Sequence, residues 1–233
     1  MPPKRKAVCL GVAGGSGSGK SWLAGFLKGK LGARVVTICQ DWYYHDKSGL
    51  SQDERQRLNL DHPKAIESAL MAAQVAELRA GRAIDAPRYE YATQARLKQR
   101  VHVEPADLVI LDGLLVLHEK RLRELMDFSV FIEVPDDIRL LRRVRRDSVQ
   151  RRIDLEETLR LYEHCVKPMH DRFIKPSAEH ATWVWRQLED RKFPLDLLNT
   201  LVKELQSGSA EATPRRRPAT AARPAAGAAL RPA

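Results

Sequence analysis

The sequence has few cysteines and no long apolar stretch. Its three cysteines, Cys9, Cys39 and Cys165, are too few and too widely spaced for a disulfide framework or a metal-ligand cluster. No run approaches the roughly 18 apolar residues that a membrane-spanning helix needs, and no apolar signal-peptide segment follows the basic start. We therefore expect a reduced, cytoplasmic protein with no membrane partner.

Positive charge is concentrated at the two ends of the chain. The formal net charge is +10. Most of it comes from a short run of basic residues at positions 4–6 and from five arginines within residues 207–233. A nucleic-acid-binding domain usually carries its charge as a face of the fold, so the basic composition gives only weak support for a nucleic-acid partner, and we do not expect one. An N-K-x-D guanine motif is also missing, which argues against a GTPase switch.

The composition indicates one folded domain with two basic extensions. An apolar fraction of 43% over 233 residues is enough for one α/β core. We expect a disordered N-terminus over residues 1–6, a single domain over 7–206, and a disordered Ala/Pro/Arg-rich tail over 207–233.

A glycine-rich segment follows the first apolar run. The sequence VCLGVAGGSGSGKS, residues 8–21, fits the pattern G-x-x-x-x-G-K-[ST]. Glycines let the backbone curl around an anion and direct its N–H groups inward, and the following helix adds its positive end. The predicted nucleotide-binding residues are Gly14, Gly15, Ser16, Gly17, Ser18, Gly19, Lys20 and Ser21.

Two acidic residues follow or end predicted buried strands. Asp41 comes shortly after the apolar run 34–39, and Asp112 ends the run 107–112. In open α/β sheets, ligands bind beyond the carboxyl ends of the strands. Asp41 could therefore accept a proton from a phosphate acceptor or help to hold Mg²⁺, and Asp112 with Ser21 could ligate Mg²⁺.

The remaining segments contain further helices, strands and loops. Asp61 is either a helix N-cap or a substrate ligand, and the aromatic residues Tyr89 and Tyr91 either pack a hairpin or stack on a planar ligand.

The patterns predict helices over 22–31, 63–79, 118–126, 154–166 and 195–205, strands over 84–87, 101–103, 128–134 and 181–185, and a loop over 88–96.

An arginine-rich helix is predicted over residues 136–153. Its guanidinium groups could form a solvated face, an RNA-binding strip, or a lid that neutralises a transferring phosphoryl group. Because the chain also contains a phosphate loop, we favour the interpretation of this helix as a lid. The arginines are Arg139, Arg142, Arg143, Arg145, Arg146, Arg151 and Arg152.

From about Ala7 to Trp185 the chain resembles the uridine/cytidine kinase family of phosphoribulokinase-like P-loop kinases. The segments QDWYY, NLDHPKA, PRYEY and IRLLRRVRRD are similar to that family's motifs and occur in the same order. The resemblance implies a three-layer α/β P-loop fold with a mainly parallel central sheet, a small β-hairpin that contacts substrate, and an Arg-rich helical lid. It also implies a homo-oligomer.

The motifs and the resemblance together assign roles to individual residues. Asp41 is the implied base, Asp61 the ribose ligand, and the two hairpin tyrosines line the base pocket. The implied catalytic residues are Asp41, Lys20, Arg143 and Arg146. Arg151 joins the phosphate loop in binding nucleotide. The implied substrate contacts are Asp41, Tyr43, Asp61, Tyr89, Tyr91, Gln94, Arg96, Arg143 and Arg146, and the implied metal ligands are Ser21, Asp41 and Asp112.

The predicted function is ATP- or GTP-dependent phosphorylation of a nucleoside 5′-hydroxyl, on uridine or cytidine. Gln94, Ile153 and Leu161 differ from the residues that the family usually has at these positions, and Asp112 replaces a usual Glu. The changes at Gln94, Ile153 and Leu161 leave a second hypothesis open, a kinase of another hydroxyl compound such as a sugar phosphate, pantothenate or a different nucleoside. A third is a nucleotide-dependent RNA-binding or regulatory protein.

Overall fold

A parallel sheet organises the protein. The computed structural model describes residues 6–51, 54–55, 58–91 and 93–207. Its elements run in the order β1 (Val8–Gly14), α1 (Lys20–Leu31), β2 (Val35–Cys39), α2 (Ser68–Arg79), β3 (Ile84–Glu90), β4 (Ala95–Val103), β5 (Leu108–Asp112), α3 (Lys120–Arg123), β6 (Phe128–Glu133), α4 (Asp136–Gln150), α5 (Leu155–Leu161), α6 (Lys167–Met169), β7 (Trp183–Arg186) and α7 (Phe193–Ser207).

The sheet places three functional segments at one edge. In the described residues its strand order is β2-β5-β1-β6-β7, and each neighbouring pair is parallel. Asp112 lies in register with Val12 on one side and Cys39 on the other. The carboxyl ends of β1, β5 and β2 therefore bring together the glycine-rich loop, Asp112 and the segment that contains Asp41.

Helices cover both faces of the sheet. Because side chains alternate along a strand, Leu10 packs with α1 and α7 on one face, whereas Cys9 packs with α2 and the β3–β4 hairpin on the other. Both faces are apolar, as expected for parallel strands. The three-layer α/β architecture that the sequence predicts is confirmed.

The hairpin is longer than the sequence patterns predict. The loop predicted over 88–96 is wrong at both ends, because β3 runs to Glu90 and β4 begins at Ala95. A register shift between Pro87 and Arg88 breaks the alternation that marks a strand. The alternation of apolar and polar residues therefore ends near Pro87, although the hydrogen-bonded ladder continues to Glu90.

One helix begins later than predicted. The helix predicted over 63–79 is a 3₁₀ turn at Pro63–Ala65 followed by α2 from Ser68. Between them, Ile66 forms an antiparallel bridge with Tyr44. This contact with a distant part of the chain interrupts the helix, and the local sequence gives no sign of it.

Two other helices differ in length from the predictions. The helix predicted over 118–126 is regular only at Lys120–Arg123. The helix predicted over 154–166 continues as far as Ile174 through two π-helical stretches. Pro168 falls within this run, in the first turn of α6, and sequence rules usually treat a proline as a helix end.

The two predicted extensions lie mostly outside the described residues. Only Lys6 of the N-terminal segment and Ser207 of the tail are described. In the described part of the chain, no helix combines the length and the apolar character needed to cross a bilayer.

Candidate active site

The glycine-rich loop has backbone angles that favour glycine. Gly17 and Gly19 have φ angles of 80° and 92°. A Cβ atom at Gly17 would lie 2.5 Å from the Arg139 carbonyl oxygen, and one at Gly19 would lie 2.6 Å from Gln187 Nε2. Gly17 is therefore required both by its conformation and by the backbone that it contacts, and Gly19 is required by its conformation.

Lys20 and Ser21 begin α1 beside the end of β5. Lys20 Nζ donates to the Gly15 carbonyl over 3.0 Å, and Ser21 Oγ donates to Asp112 Oδ2 over 2.7 Å. Burial lowers the pKa of Lys20, while the charges of Asp112 and Asp41 oppose this shift. Hydroxyl and carboxylate oxygens are ligands that Mg²⁺ prefers, so this pair fits a magnesium site.

Asp112 is a buried carboxyl group in an electropositive setting. Burial raises its pKa, whereas Lys20 and the hydrogen bond from Ser21 lower it. The charge of Asp41 raises it further, which indicates that the two carboxyl groups are near one another. A divalent cation would relieve the repulsion between them.

Asp41 accepts a hydrogen bond from the hydroxyl of Tyr91. Burial and the charge of Asp41 raise the pKa of that hydroxyl well above its usual range, so it remains a donor. The Arg151 guanidinium carbon lies 4.5 Å from the centre of the Tyr91 ring. Asp41 is thus linked through Tyr91 to the end of the arginine-rich helix.

Asp61 faces the same group of charges. Burial raises the pKa of its carboxyl group, Arg143 lowers it, and Asp41 raises it. Its backbone N–H donates to Asn59 Oδ1 over 3.1 Å. Asp61 precedes the short 3₁₀ turn, whose N-cap is His62. The cap of this turn is therefore His62 and not Asp61, whose carboxyl group lies close enough to Arg143 and Asp41 for their charges to act on it.

The arginine-rich helix α4 is docked on the glycine-rich loop. Arg143 Nη1 donates to Ser16 Oγ over 3.1 Å, and Arg142 Nη1 donates to the Gly17 carbonyl over 3.2 Å. Arg139 and Arg143 are only 1% and 9% exposed. This face of α4 is therefore not solvated, and it places guanidinium groups beside the predicted phosphate site.

Asp147 is a functional candidate that the sequence reasoning missed. Its side chain is 1% exposed and is paired with Arg143 Nε at 3.2 Å, Arg146 Nη2 at 2.8 Å and Arg151 Nη1 at 3.4 Å. The spacing of four residues from Arg143 to Asp147 and on to Arg151 is the signal that could have identified it.

A cavity of about 380 Å³ opens beside the hairpin. Ligand pockets commonly measure about 300–1,000 Å³, so it is large enough for a small molecule. Tyr89 and Gln94 line it, and neither the Tyr89 hydroxyl nor Gln94 Oε1 has a hydrogen-bond partner although both atoms are buried. Unpaired buried polar atoms are costly, which is expected where a ligand pairs with them.

Only one of the three guanidinium nitrogens of Arg96 has a hydrogen-bond partner. Its Nη1 atom pairs with Glu67 Oε2 at 2.7 Å, whereas Nε and Nη2 are buried without partners. These two nitrogens are hydrogen-bond donors that no group in the described part of the chain accepts from.

Tyr43 packs in the core beside the site. Its side chain is fully buried, and its hydroxyl donates to Gln74 Oε1 over 2.7 Å. The adjacent Tyr44 has the orientation expected of a site residue. Its ring lies 4.9 Å from that of Tyr89, and burial and the charges of Asp41 and Asp61 raise its pKa. The substrate contact expected of Tyr43 stays a prediction, since the Tyr43 hydroxyl lies close enough to Arg96 for the charge of that side chain to act on it.

Of the three residues that differ from the family motifs, Gln94 lies at the cavity. The Ile153 backbone N–H donates to the Asp147 carbonyl over 3.0 Å, so Ile153 closes the turn after α4. Leu161 is half-buried at the end of α5.

Comparisons with known proteins agree with this geometry. The model of the phosphoribulokinase/uridine kinase family matches residues 9–194. A uridine kinase of Limosilactobacillus reuteri is 38% identical over 202 residues, which cover 86% of this chain and 93% of that protein. A uridine kinase of Streptococcus equi subsp. zooepidemicus is 40% identical over 202 residues, which cover 86% of this chain and 97% of that protein.

The fold is shared with solved kinases of lower similarity. A D-glycerate 3-kinase from Cryptococcus neoformans var. grubii superposes with a TM-score of 0.57 at 18% identity, covering 74% of this chain and 80% of that chain.

Proposed function

Because this chain belongs to the phosphoribulokinase/uridine kinase family, we propose that it transfers the γ-phosphoryl group of ATP or GTP to the 5′-hydroxyl of uridine or cytidine. The observation that carries the proposal is that the groups needed for phosphoryl transfer meet at one edge of the sheet. There the Ser21–Asp112 pair, Lys20 and Asp41 lie together, under arginines anchored by Asp147.

Asp41 acts as the general base in this proposal. It accepts the proton of the 5′-hydroxyl while that oxygen forms a bond to the γ-phosphorus. The bond from the γ-phosphorus to the β–γ bridging oxygen breaks, and the nucleoside diphosphate leaves. Lys20 and the loop N–H groups hold the phosphates, and Arg143 and Arg146 neutralise charge on the moving group.

A divalent cation fits the oxygen ligands of this edge. Ser21 and Asp112, with Asp41 beside them, would hold Mg²⁺, which supplies positive charge to the phosphates when bound.

The cavity beside the hairpin supports a planar, polar acceptor. Tyr89 supplies an aromatic wall and a hydroxyl, and Gln94 Oε1 can pair with the edge of a base. Arg96, which has two unpaired buried nitrogens, is a further proposed substrate contact. Asp61, held near Arg143, would bind the ribose hydroxyls. We also propose that the protein is a cytoplasmic homo-oligomer.

A panel of acceptors tests the proposal. Uridine, cytidine, other nucleosides, pantothenate and sugar phosphates are each supplied with MgATP or MgGTP, and ADP or GDP release and the phosphorylated product are measured. We expect the pyrimidine nucleosides to give the highest kcat/KM. Turnover confined to another acceptor would refute the pyrimidine assignment and support the second hypothesis, which rests on Gln94 lying at the cavity.

A further inference from the structure

The hydroxyl of Tyr91 occupies a hydrogen-bonding position on Asp41. It donates to Oδ2 of that carboxylate. Lys20 and Asp112 lie close enough to Asp41 for their charges to influence one another. An acceptor that gives its proton to Asp41 must present a hydroxyl to the same carboxylate. Tyr91 thus offers Asp41 the same chemical group as the acceptor.

The ring of Tyr91 is held on two sides. Arg151 lies over it at 4.5 Å, and the ring of Tyr89 meets it edge-on at 5.7 Å. Arg151 is in turn paired with the buried carboxylate of Asp147. Although Tyr91 is 43% exposed, its hydroxyl end is therefore directed at Asp41.

Tyr91 can also leave Asp41 without breaking the hairpin. The β3–β4 ladder ends at the pair Glu90 and Ala95, so Tyr91 belongs to the turn. A movement of the Tyr91 side chain costs the hydrogen bond to Asp41 and the ring contacts with Arg151 and Tyr89, and it leaves the β3–β4 ladder intact.

Water competes with the acceptor at any kinase site that has a general base. A water molecule on Asp41 could attack the γ-phosphorus. Its oxygen would bond to phosphorus, its proton would pass to Asp41, and the nucleoside diphosphate would leave, so that the donor is hydrolysed with no acceptor phosphorylated.

We propose that the Tyr91 hydroxyl stands in for the acceptor on Asp41, keeping water from that carboxylate until an acceptor hydroxyl replaces it. The inference rests on the proposed role of Asp41 as base. One O–H···O⁻ hydrogen bond replaces another in this exchange. An acceptor also gains contacts in the cavity that water does not, so it displaces Tyr91 more readily than water does. Tyr91 is thus a specificity residue that favours the acceptor over water.

The variant Tyr91→Phe tests this, because it keeps the ring and its contact with Arg151 and removes only the hydroxyl. Tyr162→Phe is the matched control, since Tyr162 lies in the π-helical stretch after α5, where the charges that act on its hydroxyl are those of Arg139, Asp136, Lys167 and Asp171. We expect hydrolysis of MgATP without acceptor to rise about tenfold in Tyr91→Phe, the effect of losing one hydrogen bond to a charged group. Tyr162→Phe should leave it unchanged.

Steady-state phosphorylation of uridine provides the second readout. The acceptor no longer displaces a hydroxyl in Tyr91→Phe, so its KM should fall severalfold while kcat stays within about twofold. Unchanged hydrolysis in Tyr91→Phe overturns the inference, whatever happens to KM. A fall in kcat at constant KM also overturns it, because the hydroxyl would then position Asp41 for catalysis.

The measurement separates this inference from the proposed function. Hydrolysis needs no acceptor, so it reports on Tyr91 even where uridine and cytidine are not phosphorylated. Failure of all nucleosides in the wild-type protein refutes the proposed function. Normal nucleoside phosphorylation with unchanged hydrolysis in Tyr91→Phe refutes only the inference.

Discussion

At the scale of single residues, buried charges and polar groups explain most of what is specific to this site. Asp147 neutralises three arginines from within α4 and the turn that follows it. His170 is buried in the helical run after α5, with Nδ1 unpaired. Each has a measurable consequence for stability.

Replacing Asp147 by Asn keeps its size and removes its charge. Arg143, which is mostly buried, would lose its neutralising partner, and we expect unfolding free energy to fall by about 3 kcal/mol. The arginines beside the phosphate loop would also lose their common anchor, so kcat should fall more than the affinity for ATP. Denaturant unfolding and steady-state kinetics measure both effects.

Asp137→Asn is the matched control for this change, since Asp137 is an exposed residue in the first turn of the same helix. Loss of the Asp137 charge should lower the unfolding free energy by no more than about 1 kcal/mol, because only its interaction with the helix dipole is removed. Equal losses in the two variants would contradict the anchoring role of Asp147.

His170 should make stability depend on pH. Burial lowers its pKa to about 4, and Arg139 adds to the shift while Asp136 opposes it. The unfolded chain has a His pKa of about 6.5, so between these values the unfolded state binds the extra proton. Stability is therefore full above about pH 6.5 and is lost as pH falls toward 4, by up to about 3 kcal/mol.

Urea unfolding between pH 7 and 4 measures this dependence. His170→Gln, which cannot titrate in this range, should show a flatter decline of unfolding free energy with falling pH. The same slope in both proteins would show that His170 is not the group responsible.

At the scale of secondary-structure elements, the glycine-rich loop and α4 depend on each other. Gly17 lies against the backbone of Arg139, and Arg142 and Arg143 hydrogen-bond to loop atoms. A change in the loop therefore moves the arginines as well as the phosphate-binding N–H groups.

Gly17→Ala tests this dependence, because its Cβ would lie 2.5 Å from the Arg139 carbonyl at a φ of 80°. We expect the affinity for MgATP, measured by calorimetry, to fall at least about tenfold. Gly25→Ala in α1 is the control, since its Cβ meets no atom within 4 Å. It should stabilise the helix by about 0.5–1 kcal/mol and leave MgATP affinity unchanged. Equal MgATP affinity in the two variants would contradict the loop account.

The elements differ in how well the sequence predicts them. The core strands β1, β2 and β5 are short apolar runs followed by glycine or acid, and their positions are confirmed. The extent of the hairpin strands is predicted wrongly because a register shift interrupts their alternation. The start of α2 is predicted wrongly because Ile66 forms a bridge with Tyr44 before the helix begins. Local periodicity carries no information about such distant contacts.

At the scale of the whole molecule, the candidate site forms where the sheet edge, the hairpin turn and α4 meet. A chain of contacts runs from Asp41 to Tyr91, then to Arg151 and Asp147. The motifs in the sequence identify most of the participants, since phosphate loops and strand-end acids have recognisable patterns. They do not identify the contacts, because Asp41 and Tyr91 are fifty residues apart and meet only after the hairpin packs on the sheet.

The role of this assembled site is measured by comparing Asp41→Asn with the wild-type protein. We expect kcat for uridine phosphorylation to fall by about 10²–10⁴, the usual contribution of a general base, while MgATP affinity changes little. Asp196→Asn, a change at an exposed residue in the first turn of α7, serves as the matched control and should keep wild-type kinetics. Near-normal kcat in Asp41→Asn would contradict the assignment of Asp41 as the base that receives the acceptor's proton.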